Sequence, residues 1–349
     1  MNAISPPVRL AIVGCGLITE DSHLPAILRS SLVQLVALID NEPKRASALA
    51  RMFGCEVALH TRLEDVVDKI DGVLIATPNF THAAIAKIAL ANGVPALIEK
   101  PLTTSYASSV ELCELAERNG TFISVGYFSR HFPVISLFKR LLDEGFLGTL
   151  ENFHFELGTA GGWTPISAYN LDRQQSGGGV LVVRGTHFLD RMIYWFGMPK
   201  SFSYADDSYG GVEANCKARV AFDTELGEFS GTLFLSKTIN LKNKLTFETS
   251  RYFGEIPDSE TEEITLFSKS LPQVRLTMRT ERDNFSPRTI QDCFQAQIED
   301  FARAIRQGTR PLVDGRDGSL SVKLFEDFYA QRTQLPEPWR LAHKLKQEV

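Results

Sequence analysis

Residues 8–19 read VRLAIVGCGLIT, a short apolar run followed by two glycines that are separated by one residue. The apolar run predicts a buried parallel strand, because such strands are covered on both faces. Gly14 and Gly16 begin a G-x-G-x-x-G pattern whose third position is Thr19, and helical spacing follows. A strand, a glycine turn and a helix in this order predict a dinucleotide-binding unit, with the helix N-terminus facing a pyrophosphate.

The chain on either side of this turn continues to alternate between strand-like and helix-like segments. Strand-like runs occupy 35–39, 73–76, 95–98 and 122–125, and helical stretches occupy 43–52 and 81–92. Such alternation predicts a doubly wound parallel sheet with its ligand site at the carboxyl ends of the strands. Beyond residue 150 the pattern changes to further strand-like pieces, and two helical stretches, 292–307 and 320–332, follow. Two domains are therefore expected, a nucleotide-binding domain at 1–125 and a substrate-binding domain at 126–349 whose C-terminal helices pack back.

The composition excludes several classes of function. Of 349 residues, 44% are apolar and 23% are charged, with a formal net charge of −5, which gives no reason to expect binding to nucleic acid or to an anionic membrane. The five cysteines are scattered without a C-x-x-C pair, which argues for reduced thiols and against a metal site. We therefore expect a cytoplasmic protein that holds no metal.

The predicted strand ends carry the candidate cofactor residues. Asp40 ends the second strand, where its carboxylate would accept hydrogen bonds from a ribose diol and repel a 2′-phosphate. NAD is therefore favoured over NADP, although the neighbouring Lys44 and Arg45 weaken that preference. Two further loops, ATPNFTH at 76–82 and EKP at 99–101, follow later strands. The complete predicted cofactor set is Gly14, Gly16, Leu17, Ile18, Asp40, Arg45, Thr77, Pro78, Asn79, His82, Glu99 and Lys100.

In this order and spacing, the motifs resemble those of the Gfo/Idh/MocA oxidoreductase family. The resemblance rests on GCGLIT at 14–19, ATPNFTH, EKP, VGYFSRHFP at 125–133, GFLGTL at 145–150, GGGVL at 177–181, GTHFLD at 185–190 and 294–311. It implies a Rossmann domain followed by an α/β domain with a large, open and mainly antiparallel sheet. It also implies a homodimer or homotetramer that assembles through that sheet.

The resemblance further implies an enzyme that oxidises a hydroxyl group of a sugar, sugar acid, nucleotide sugar or cyclitol, or reduces the matching ketone. Lys100 of EKP would then hold the reacting oxygen or transfer its proton. Family members commonly add a D-x-x-x-H helix whose histidine transfers the proton; this histidine corresponds to His187, which the resemblance makes the second catalytic residue beside Lys100. Here Val183 occupies the aspartate position, so the usual carboxylate is replaced.

The predicted substrate contacts lie downstream of the nucleotide-binding motifs. Arg184 would accept an anionic substrate, and Asp190, one turn beyond His187, could orient that histidine. Trp163 and Tyr169 could stack on a sugar face, while Asp172 could accept its hydroxyl hydrogen bonds. The complete predicted substrate set is Tyr127, Arg130, Trp163, Tyr169, Asp172, Arg184, His187 and Asp190.

Two other functions remain open from the sequence. One is an enzyme that keeps NAD bound and uses transient oxidation for elimination, epimerisation or glycoside cleavage. The other is a regulatory protein that binds NAD without catalysis. The intact EKP sequence favours catalysis, because a sensor has no need of the lysine.

Overall fold

The computed structural model describes residues 6–161, 168–259, 262–280 and 289–335. Within these ranges the strands are β1 Val8–Val13, β2 Val33–Ile39, β3 Ala58–His60, β4 Gly72–Ile75, β5 Ala96–Ile98, β6 Ile123–Val125, β7 Leu150–Gly158, β8 Ser201–Asp206, β9 Asn215–Thr224, β10 Gly227–Ser236, β11 Lys244–Thr249, β12 Tyr252–Pro257, β13 Glu263–Ser268, β14 Arg275–Arg279 and β15 Arg332–Gln334.

The helices in the same ranges differ widely in length. They are α1 Leu24–Arg29, α2 Pro43–Phe53, α3 His82–Ala91, α4 Tyr106–Arg118, α5 Pro133–Asp143, α6 Arg173–Ser176, α7 Thr186–Phe196, α8 Ile290–Gln307 and α9 Gly315–Ala330. Two π-helical turns, Thr19–His23 and Leu181–Gly185, lead directly into α1 and α7.

The first sheet is parallel and has the strand order β3-β2-β1-β4-β5-β6. The chain order reverses at β1, where β2 and β4 pair on opposite sides. This is the topological switch point at which open α/β sheets bind their ligands. The predicted doubly wound parallel sheet is confirmed.

Helix α8 packs against the first sheet although it lies far along the chain. Its residues Phe294, Ile298, Phe301 and Ala302 belong to the same buried cluster as the residues of β1. The contacts accordingly divide the chain into one unit of Met1–His131 with Pro287–Val322, and a second of Phe132–Ser286 with Lys323–Val349. The sequence-based domain limits at 125 and 126 differ from this division because a contiguous range cannot represent the returning helix.

The second sheet is mixed and has the order β14-β13-β12-β11-β7-β10-β9-β8-β15 among the described residues. Its neighbouring strands are antiparallel except for the pairs β7 with β10 and β8 with β15. The predicted large, mainly antiparallel sheet is confirmed. No helix in the described ranges is both long enough and apolar enough to cross a membrane.

Candidate active site

In the glycine turn after β1, there is free space beside the backbone at Gly16. Gly14 has a φ of 101°, and a Cβ there would collide with the backbone of Ala76. By contrast, a Cβ on Gly16 would meet no atom within 4 Å. The hydroxyl of Thr19 donates to the Gly14 carbonyl at 2.6 Å, which explains why a threonine fits at the third position of the motif. An open backbone before a helix N-terminus fits a dinucleotide pyrophosphate.

Asp40 stabilises the glycine turn from the end of β2. Its carboxylate accepts hydrogen bonds from the backbone N–H of Cys15 at 2.9 Å and of Glu42 at 2.8 Å. Arg45, predicted to contact the cofactor, forms an exposed ion pair with Glu42 at 2.8 Å. Two carboxylates at this strand end disfavour a 2′-phosphate. The preceding Leu17 and Ile18 are exposed, as a surface available to a ligand requires.

The 76–82 loop follows β4 and contains Thr77, Pro78 and the largely buried Asn79. Thr81 donates to the Thr77 hydroxyl at 2.7 Å, which fixes the loop. His82 is fully buried, with Nε2 2.9 Å from the Thr77 carbonyl oxygen and Nδ1 3.0 Å from that of Pro101. The interior of the unit thus encloses the ring of His82, and its contact with the cofactor stays a prediction.

The EKP segment follows β5, and its first residue also points inward. Glu99 is buried; its Oε1 lies 2.8 Å from Nε2 of His23, and its Oε2 accepts a hydrogen bond from the Lys100 backbone N–H at 3.0 Å. Burial alone would raise the pKa of Glu99, but the hydrogen bond and charge of His23 and the charge of Lys100 hold it below its ordinary value. Glu99 thus fixes the backbone of Lys100, and its contact with the cofactor stays a prediction.

His23 is a residue that the sequence reasoning missed. It ends the π-helical turn behind the glycines and is buried, and its ring packs edge-on against Phe294 at 5.2 Å. Its only signal in the sequence is a histidine seven residues after Gly16, which helical spacing cannot distinguish from a core histidine.

Two predicted substrate residues after β6 are buried in the first unit. Tyr127 is fully buried, with its hydroxyl 2.6 Å from that of Ser321. Arg130 is also buried, and its charge opposes the rise that burial causes in the pKa of Asp317. Both side chains pack inside the unit, and their contacts with a substrate stay predictions.

The second unit presents His187 on a half-exposed helical face. His187, Val183 and Arg184 are only partly buried, whereas Phe188 and Leu189 belong to the core. The apolar residues of this helix therefore face the core, and His187 lies on the partly exposed side. Arg191 donates to the His187 carbonyl at 3.2 Å and to Asp258 at 2.6 Å, which stabilises the helix at this point.

The other residues predicted to bind substrate lie in different environments. Arg184 donates to the Thr159 hydroxyl at 3.2 Å, and Asp190 is buried. Asp172 caps α6 by accepting from the Gln174 backbone N–H at 2.8 Å, so its carboxylate has a structural use. Tyr169 is half-buried in a short helical turn, and Trp163 lies outside the described residues.

Glu213, also missed from the sequence, anchors the helix that carries His187. It is buried and accepts hydrogen bonds from the backbone N–H groups of Gly179 and Leu181, each at 2.9 Å, and from the Tyr329 hydroxyl at 2.8 Å. Burial raises the pKa of Glu213, although these hydrogen bonds oppose the shift. A Cβ on Gly179 would collide with the Glu213 backbone, and one on Gly178 would collide with the Tyr329 hydroxyl. The GGG sequence therefore permits this close approach.

Comparison with known proteins settles the family. Residues 8–127 match the NAD-binding Rossmann-fold domain of the Gfo/Idh/MocA oxidoreductase family. Residues 139–334 match the C-terminal alpha/beta domain of the same family. The chain belongs to the Gfo/Idh/MocA oxidoreductase family. Its N-terminal unit is accordingly an NAD-binding Rossmann domain, and the open backbone at Gly16 fits that cofactor. Among the described residues, no cluster of histidine, cysteine, aspartate and glutamate could hold a metal ion.

Several similar proteins are named for a carbohydrate or a cyclitol. The chain is 32% identical over 200 residues to the rhizopine catabolism protein MocA of Rhizobium meliloti, covering 56% of this chain and 60% of that protein. It is 34% identical over 151 residues to an inositol 2-dehydrogenase of Corynebacterium glutamicum, covering 42% and 44%. The matches thus span about half of these curated relatives. A levoglucosan dehydrogenase in complex with NADH and levoglucosan shares the fold, with a TM-score of 0.82, 18% identity and coverage of 93% and 97%.

Proposed function

We propose that this protein is an NAD-dependent oxidoreductase that interconverts a hydroxyl and a carbonyl group on a sugar, sugar acid, nucleotide sugar or cyclitol. The observation that carries the proposal is the placement of Lys100, which follows β5 at the same edge of the parallel sheet as the glycine turn after β1. Its backbone N–H is fixed there by Glu99. Relatives named for inositol and levoglucosan support the substrate class.

Proton handling falls to Lys100 in this proposal. Bound NAD would supply the hydride acceptor or donor. In its neutral form, Lys100 accepts the hydroxyl proton at Nζ as the substrate carbon gives up its hydride, which leaves a carbonyl group. In the reverse direction, protonated Lys100 returns that proton to the oxygen. General acid–base assistance of this kind contributes about 10²- to 10⁴-fold to the rate.

His187 and Arg184 are proposed to bind the polar groups of the substrate. Val183 lies one helical turn before His187 and supplies no carboxylate, so the proposed mechanism depends more strongly on Lys100 than the aspartate-containing version would. Arg184, on the same half-exposed face, favours a substrate that carries an acidic group.

The test uses purified protein with NAD and a panel that contains a neutral cyclitol, an anhydrosugar, a sugar acid and a nucleotide-linked sugar acid. We expect steady formation of NADH with at least one class, and a loss of that activity in Lys100→Ala. Lys87→Ala is the matched control, because Lys87 is an exposed lysine of the same unit that pairs with Glu111. NADH binding without chemistry on any class, and without an effect of Lys100→Ala, would contradict the proposal and favour a regulatory role.

A second candidate function is transient oxidation with NAD retained on the protein, and Val183 at the usual aspartate position favours it. This second function predicts a different experimental result from the first. Denaturation would release NAD or NADH that copurified with the protein, and product would form by elimination, epimerisation or glycoside cleavage without net reduction of added NAD.

A further inference from the structure

Two buried histidines hold the segment that carries Lys100, one on each side. His23 contacts Glu99, the residue before the lysine, and His82 contacts Pro101, the residue after it. The two histidines come from different helical elements, the π-helical turn Thr19–His23 and α3. The backbone of Lys100 therefore lies between two contacts that originate outside its own loop.

On the Glu99 side, one carboxylate links His23 to the backbone of Lys100. His23 reaches Oε1 of Glu99 through Nε2, and Oε2 of the same carboxylate accepts from the Lys100 N–H. Within the described part of the chain, Nδ1 of His23 has no hydrogen-bond partner. The edge-on contact with Phe294 fixes the orientation of the His23 ring. His23 therefore contacts Glu99 through Nε2 alone.

The contact on the Pro101 side joins two loops of the NAD-binding domain. Both ring nitrogens of His82 lie near carbonyl oxygens, Nδ1 at Pro101 and Nε2 at Thr77. Carbonyl oxygens only accept, so a neutral ring can donate to one of them and a protonated ring can donate to both. Nδ1 is the atom that reaches the lysine segment.

We propose that His23 and His82 are positioning residues for Lys100, which together fix its backbone so that Nζ is delivered to the reacting oxygen. The proposal rests on the function proposed above, because it takes Lys100 as the proton-handling group. Neither histidine touches substrate in this account; each acts through a neighbour of Lys100. Their removal should therefore lower kcat while the KM for NAD changes little.

Paired amide substitutions separate positioning from general stability. The amide nitrogen of asparagine can occupy the place of histidine Nδ1, and that of glutamine the place of Nε2. At position 82, His82→Asn keeps a donor for Pro101 and His82→Gln keeps one for Thr77 instead. At position 23 the order reverses, because His23→Gln keeps the donor for Glu99 and His23→Asn loses it.

We expect His82→Gln and His23→Asn to lower kcat about 10- to 100-fold, as small misplacements of a catalytic group do. His82→Asn and His23→Gln should retain most of the activity at a similar melting temperature. His60→Gln, a half-buried histidine of the same unit on β3, is the control and should leave kcat unchanged. Equal losses in both members of each pair, or losses that follow melting temperature alone, would overturn the proposal.

A readout independent of turnover distinguishes this proposal from the proposed function. Lysine acylation followed by mass spectrometry reports the reactivity of Lys100 as a function of pH. We expect this profile to move in His82→Gln and His23→Asn and to stay in place in the other two variants. If Lys100→Ala retains activity, the proposed function fails even where the profile moves; an unchanged profile in all four variants overturns positioning by the histidines.

A second variant keeps the test valid should the histidine variants not fold. A Cβ on Gly126 would lie 3.0 Å from Cα of Glu99 and 3.1 Å from its Oε1, so Gly126→Ala shifts Glu99 while both histidines remain. The Lys100 profile should move in this variant as well, and an unchanged profile would contradict the role of the Glu99 contact.

Discussion

Glu99 and Glu213 are both buried glutamates, yet their pKa values move in opposite directions. Burial pushes both values upward. Glu99 faces His23 and the charge of Lys100, which outweigh burial, whereas Glu213 is bonded to two backbone N–H groups and the Tyr329 hydroxyl, which do not. The hydrogen bond of His23 and the nearby charges therefore lower the pKa of Glu99, whereas desolvation dominates at Glu213 and raises its pKa.

The two carboxylates also support different candidate residues, one in each unit. Glu99 fixes the backbone of Lys100, and Glu213 fixes the start of the helix that carries His187. The comparison indicates that the first anchor acts close to the proposed proton transfer. The second acts on the structure of a helix, so disturbing it should affect folding more than the chemistry at Lys100.

The largest expected difference concerns the glycine beside each carboxylate. Gly179→Ala places a Cβ against the Glu213 backbone and should destabilise the second unit by about 3 kcal/mol or more, since the backbone must move. Gly126→Ala makes only a close contact with Glu99 and should cost about 1 kcal/mol. Denaturant unfolding measures both, and equal costs would break the comparison.

The pH dependence of local stability should have opposite signs at the two anchors. Because the pKa of Glu99 is lowered, its contribution is present above the ordinary value of 4.5 and lost as the pH falls through the folded value. Because the pKa of Glu213 is raised, its contribution is present below 4.5 and lost as the pH rises through the folded value.

Hydrogen-exchange protection factors of the Lys100 and Leu181 amides, each bonded to one carboxylate, test this prediction. Glu99→Gln should flatten the loss of protection in acid at Lys100, and Glu213→Gln should flatten the loss at higher pH at Leu181. Slopes of the same sign at both amides in the unmodified protein would contradict the assignment.

The smallest expected effect comes from introducing a carboxylate one helical turn before His187. Val183→Asp would place an anion one helical turn away, which favours protonated His187 and should shift the pH profile of kcat upward by about 0.5 to 1 unit. Val183→Asn, which adds polarity without charge, is the control. An identical profile in both variants would show that Val183 does not define the mechanism.

The sequence predicted the parallel sheet well, because short apolar strands followed by Gly14, Asp40 and Glu99 can be recognised from local hydrophobic patterns and turn residues. The apolar stripe of α8 predicted packing against a sheet, and the packing back of the C-terminal helices was expected, but the stripe alone does not specify which sheet α8 covers.

The internal anchors could not be predicted, because each depends on residues far apart in the chain. His23 meets Glu99 across 76 positions, and Glu213 meets Gly179 across 34. Polar residues in site motifs were all taken to face ligands, although His82 and Tyr127 are fully buried. A motif specifies a residue type, whereas the tertiary fold decides whether that side chain points inward.

Chemical rescue of Lys100→Ala tests the central claim most directly. With saturating NAD and a hydroxyl substrate that the unmodified protein oxidises, kcat in Lys100→Ala should fall about 10²- to 10⁴-fold. Added primary amines should restore part of it, with rates that increase with amine concentration and basicity. Full activity without the lysine, or a loss that no amine repairs although NADH binding is intact, would contradict Lys100 as the group that handles the proton.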